Sequence, residues 1–88
     1  MNNVNLYKLR RRSVIVAGHR TSVSLEEAFW DTLKSICYDQ SKSINQLVTE
    51  IDSNRAGNLS SAIRVFVLDW LRCRMGVTDD VGLIAEIA

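Results

Sequence analysis

One segment of this chain alternates strictly with period two, Arg20-Thr21-Ser22-Val23-Ser24-Leu25, and it is the one good strand that the pattern offers. This feature constrains the fold more than any other. A lone strand leaves its backbone N–H and C=O groups without partners, and even an isolated two-stranded hairpin is marginal in water. The economical partner is the same strand of a second chain, which two-fold symmetry makes antiparallel. The alternation then sends Thr21, Val23 and Leu25 toward the helices and Arg20, Ser22 and Ser24 outward, twice. Length points the same way. A chain of 88 residues makes one small domain, which buries only about 60–65% of its unfolded surface and needs help. Cys37 and Cys73 show neither CxxC spacing nor a paired His/Cys pattern, so neither a disulfide framework nor a metal or cofactor is expected, and a second subunit is.

The sequence around the strand divides into helices. Residues 13–25 are rich in β-branched types, and Gly18 marks a bulge or bend before the strand. Ser24 followed by Glu27 has the spacing of a capping box, and Glu26 and Glu27 suit the positive end of a helix dipole. A first helix is therefore expected from Leu25 to Asp39, with Leu25, Phe29, Leu33, Ile36 and Cys37 on one face and Trp30 to its side. After the turn Gln40-Ser41-Lys42, Ser43 and Gln46 repeat the box and open a second helix that ends near Ser53, its apolar face being Ile44, Leu47, Val48 and Ile51. Asn54 to Asn58 reads as a loop, with Asn58 able to cap a third helix from Leu59 to Met75 that stops at Gly76. Its broad stripe (Leu59, Ala62, Ile63, Phe66, Val67, Trp70, Leu71, widened by Val65 and Leu68) calls for burial on more than one side, as at a subunit interface. The expected organisation is a flexible basic arm at 1–12, a domain at 13–75 and a loosely held tail at 76–88.

The net charge of +1 conceals an asymmetry: residues 1–24 carry +5 with no acid, and the remainder carries −4. A basic arm on a mildly acidic body suits a polyanionic partner, and Arg10, Arg11 and Arg12 are candidate phosphate clamps. The major groove of B-DNA admits a two-stranded ribbon, where Arg20 could bridge two acceptors on a guanine edge and Ser22 and Ser24 could donate or accept.

At this point the chain resembles a known family. Residues 20–53, a short strand, a capped helix, a polar turn and a second capped helix, are similar to the ribbon-helix-helix superfamily. Lys42-Ser43-Ile44-Asn45 resembles the turn before the second helix of the Arc repressor. The runs GHRTSVSLEEAFWDTLKSI, SINQLVTEID and NLSSAIRVFVLDWLR resemble a bacterial subgroup with an added third helix. The resemblance implies a mainly α fold with one strand per chain, an intertwined homodimer with an intermolecular β-ribbon, and transcriptional regulation or repression through double-stranded DNA. It implies base contacts by Arg20, Ser22 and Ser24, and a phosphate held at the start of the second helix by Ser43, Ile44 and Asn45 beside Lys42. Two of the three ribbon positions are serine, which departs from the longer side chains often found there and leaves Arg20 with most of the base recognition.

Other residues read more simply. His19, the single histidine, is expected to make a structural hydrogen bond at the strand's start. Cys37 reads as a small core residue, Cys73 as a partly exposed one, and Trp30 and Trp70 as packing anchors. No nucleotide loop, metal cluster or catalytic triad is legible, so an enzyme is not expected. With no secretory pattern and no apolar run near the ~20 residues of a membrane span, the expected place is the cytoplasm, with the nucleoid, and not a membrane. The competing function is a protein-interaction module or antitoxin-type autoregulator that keeps the fold with weak DNA recognition. A protein partner and higher-order assembly on DNA both stay open.

Overall fold

The computed structural model describes residues 5–55 and 57–76. The order is β1 (Leu9–Val16), β2 (His19–Glu26), α1 (Glu27–Gln40), α2 (Ile44–Ser53) and α3 (Leu59–Arg74). The expected strand is present, and it has a partner inside its own chain. β1 and β2 form an antiparallel hairpin in which Val16 faces His19 and Leu9 faces Glu26. Ala17 and Gly18 make the turn, both with positive φ (50° and 85°). A two-residue turn of this hand matches the twist of the strands it joins, and glycine at the second position removes most of the strain. Gly18 thus serves a reversal of the chain, where a bulge or bend was expected.

This pairing corrects two expectations. The chain contributes two strands where one was expected, and β1 satisfies one edge of β2 within the chain. Nor is the segment up to residue 12 all a free arm, because strand pairing begins at Leu9. The physical reason is in the alternation of β1. Val14 and Val16 are buried against the helices, and Arg10 and Arg12 share their side of the hairpin. Long arginine stems cover apolar surface while their heads stay wet, so a run of arginines can form a strand with an inward side.

The start of α1 also differs from expectation. β2 runs on through Glu26, which is the N-cap and makes no side-chain capping bond. The backbone ahead of β1 caps the helix: Glu27 N donates to Lys8 O (2.8 Å) and Ala28 N to Leu6 O (3.1 Å). A strand that feeds straight into a helix keeps its side chains alternating between the two faces, so Ser24 does not turn back as a cap. The second helix is entered as its sequence predicts. Ser43 Oγ accepts from Gln46 N (3.0 Å) and Gln46 Oε1 accepts from Ser43 N (2.8 Å). Asn58 caps α3 by accepting from Ser61 N at 2.8 Å.

One core unites the elements: Val14, Val16, Val23 and Leu25 from the hairpin, Trp30, Leu33, Ile36 and Cys37 from α1, Leu47, Val48 and Ile51 from α2, and Ile63 and Val67 from α3. Trp30, expected beside the apolar stripe, is 1% exposed and lies within it. Its indole Nε1 donates to Arg10 O at 2.9 Å, which satisfies the buried N–H and ties α1 to β1. Fully burying one such large apolar side chain is worth roughly 1.5–3 kcal/mol, so this shared cluster outweighs any single cap or ion pair. Burial also pushes the Cys37 thiol above its ordinary pKa, as befits a packing residue.

Candidate nucleic-acid interface

The hairpin has two unlike faces. One packs on the helices. The other carries Leu9, Arg11, Ser13 and Ile15 from β1 opposite Glu26, Ser24, Ser22 and Arg20 from β2. Arg11, Ser13, Arg20 and Ser22 are exposed, and Ser24 is half-buried. Arg20, Ser22 and Ser24 therefore lie together on the outward side, as the alternation predicts. Of the inward set, Val23 and Leu25 are buried, whereas Thr21, near the turn, is exposed.

The basic residues separate according to face. Arg10 Nε pairs with Glu27 Oε1 at 2.7 Å, and the Arg12 guanidinium sits 5.7 Å from the centre of the Trp30 ring. Both belong to the packed side, so neither stands with the outward set. Arg11 is on the opposite side, beside Ser24 of the neighbouring strand. Among the described residues, neither Arg11 nor Arg20 makes an ion pair or a side-chain hydrogen bond. His19 is exposed next to the turn, and no described residue bonds to its imidazole.

The two edges of the hairpin differ as well. Ile15 N, which points away from β2, donates to Asn45 Oδ1 (2.9 Å), and Ala17 N donates to Thr49 Oγ1 (3.2 Å). So α2 covers the outer edge of β1 near the turn. By the same alternation, the N–H groups of Arg20, Ser22 and Ser24 point away from β1. None of them has an acceptor among the described residues. This is an open strand edge, the usual template for pairing with another chain.

The start of α2 is more occupied than its sequence suggests. Asn45 is engaged with β1, and Lys42 Nζ pairs with Glu50 Oε1 at 2.7 Å. The capping box takes the N–H groups of Ser43 and Gln46. The backbone N–H groups of Ile44 and Asn45 keep no acceptor among the described residues, at the positive end of the helix dipole.

Two features escaped the sequence. Glu26 accepts from Arg64 Nε (2.9 Å) and Nη2 (3.2 Å), fastening the end of β2 to α3. These hydrogen bonds hold the Glu26 carboxyl below its ordinary pKa. No local spacing relates the two residues. The other is β1 itself, whose signal was the β-branched run Val14-Ile15-Val16 followed by Ala17-Gly18. Elsewhere, α3 exposes Val65, Leu68 and Leu71, and its C-cap Met75 is exposed as well. No helix among the described residues is long and apolar enough to cross a membrane.

The ribbon-helix-helix domain family matches residues 9–71, and the chain belongs to that family, whose members are generally DNA-binding transcription regulators. The match begins at Leu9, where β1 does. Among solved structures, the chain is similar to an uncharacterized protein from Bordetella pertussis Tohama I. The TM-score is 0.68 at 28% identity, over 89% of this chain and 70% of that one. A comparison with curated proteins gives no match.

Proposed function

We propose that this protein binds double-stranded DNA as a homodimer, with the outward face of its hairpin in the major groove, and regulates transcription from the nucleoid. The observation that carries the proposal is the division of arginines. Arg10, Arg12 and Arg64 are engaged in pairing or stacking, while Arg20 and Arg11 stand uncommitted on the outward face beside Ser13 and Ser22. Two chains join along the open edges of β2, which completes the backbone pairing of Arg20, Ser22 and Ser24 and brings two copies of the set together. Arg20 bridges a guanine edge, and Ser22 and Ser24 contact neighbouring bases. Because Ser24 does not cap α1, it is free for that role. The free N–H groups of Ile44 and Asn45, with Ser43 and Lys42 beside them, receive a backbone phosphate.

The test is titration of duplexes at low salt, followed by sequencing of duplexes selected from a random pool. Arg20→Ala is expected to weaken binding and broaden the selected sequences. Absence of duplex binding at low salt would remove the proposal. Dimerisation has its own test. Ser22→Pro deletes an N–H on the open edge only and leaves the hairpin pairing intact. It is expected to give a folded monomer by light scattering.

A second reading, a protein-interaction module, is favoured by one observation, the exposed Val65, Leu68 and Leu71 on α3. It predicts that Leu68→Glu abolishes assembly beyond the dimer or with a partner while DNA binding persists.

A further inference from the structure

Resting on that DNA reading, we infer that β1 is a phosphate-clamping flank and not part of the base-reading ribbon, with Arg11 as its contact. The width of the ribbon decides this. Neighbouring strands lie about 4.8 Å apart. Pairing along the open β2 edges gives the order β1, β2, partner β2, partner β1, because β1 already occupies the other edge. The two central strands then sit about 2.4 Å either side of the symmetry axis, and the two β1 strands lie about 14 Å apart. The major groove is about 12 Å wide. The central pair fits between its walls and the β1 strands do not, so they ride over the sugar–phosphate backbones on either side.

The side chains of β1 suit that position. Arg11 faces outward opposite Ser24, exposed and without a partner among the described residues. Ser13, opposite Ser22, is too short to reach from the flank to a base edge. Ile15, opposite Arg20, is apolar, and its backbone N–H is taken by Asn45. The flank therefore offers one strong phosphate ligand per chain. Two-fold symmetry places the two copies on opposite walls, diagonally across the site. Arg10 and Arg12, one residue away on either side, face the helices and cannot substitute for it.

The alternative is that the hairpin of a single chain enters the groove, with β1 and β2 both reading bases. The experiment compares wild type, Arg11→Gln, Arg20→Gln and Arg10→Gln by selected-duplex sequencing and by the salt dependence of affinity. Arg11→Gln is expected to keep the wild-type sequence preference, to weaken binding to all duplexes alike, and to make the log–log salt slope shallower by about 2 per dimer. Arg20→Gln is expected to change the preference. Arg10→Gln is expected to leave both unchanged. A changed base preference in Arg11→Gln would overturn the assignment and put β1 inside the groove. An unchanged slope in Arg11→Gln, or an equal loss of slope in Arg10→Gln, would overturn it too. A wild-type chain that binds no duplex defeats the DNA reading itself, a different and separately visible result.

Discussion

The two faces of the hairpin are built from interleaved residues of the same strands and have opposite fates. Val14, Val16, Val23 and Leu25 are buried, and even the arginines on their side are tied to α1, through Glu27 and Trp30. One residue along, Arg11, Ser13, Arg20 and Ser22 meet solvent. Because a strand repeats every two residues, a shift of one position exchanges a helix-facing side chain for a solvent-facing one. Three consecutive arginines, which look alike as charge, therefore divide into two that are tied to α1 and one that is free.

The sharpest attempt to break this contrast is Leu25→Ala. Leu25 is 0% exposed at the junction of β2 and α1, and its loss is expected to destabilise the chain by about 2–5 kcal/mol in denaturant melts. A cost under about 1 kcal/mol would mean that the inner face is not a packed core. The outer face should behave in reverse. Arg20→Ala is expected to change stability by no more than about 0.5 kcal/mol while weakening duplex binding by about 1–3 kcal/mol. Trp30→Phe sharpens the case for the inner arginines. It deletes the indole donor to Arg10 O and part of the packing, at about 1–2 kcal/mol, and should loosen β1 first in amide exchange.

The smallest effect probes an exception. Glu26 has the outward parity, yet it is bonded to Arg64 of α3. Its carboxyl is held below the ordinary value of 4.5, chiefly by that hydrogen bond. A group with a lowered folded pKa binds fewer protons in the native state, so its contribution is complete above the ordinary value. The contribution is lost as pH falls through the lowered one. Wild type and Glu26→Gln should therefore differ slightly in melting temperature near neutral pH and converge in acid. A gap that persists in acid would assign the effect to shape and not to charge.

Much of this was legible in residue order. The Ser43/Gln46 box, the Asn58 cap and the apolar faces of α2 and α3 are local patterns, and local hydrogen bonding honours them. The outward placement of Arg20, Ser22 and Ser24 followed from period two alone. The Ser24/Glu27 box failed because the same residues fit a strand, and pairing with β1 fixed that choice. β1 was hidden because its inner face begins with arginines, whose contacts with Glu27 and Trp30 become visible only when α1 is in place.

The order of residues was enough to determine where α2 and α3 start and which side chains of β2 share a face, since caps and periodicity act over three or four neighbours. It could not decide which strand partners β2, which arginines are tied to α1, or that Glu26 meets Arg64. Those depend on segments far apart in the chain, and only the closing of a common core around Trp30, Leu25 and Ile63 brings them within bonding distance.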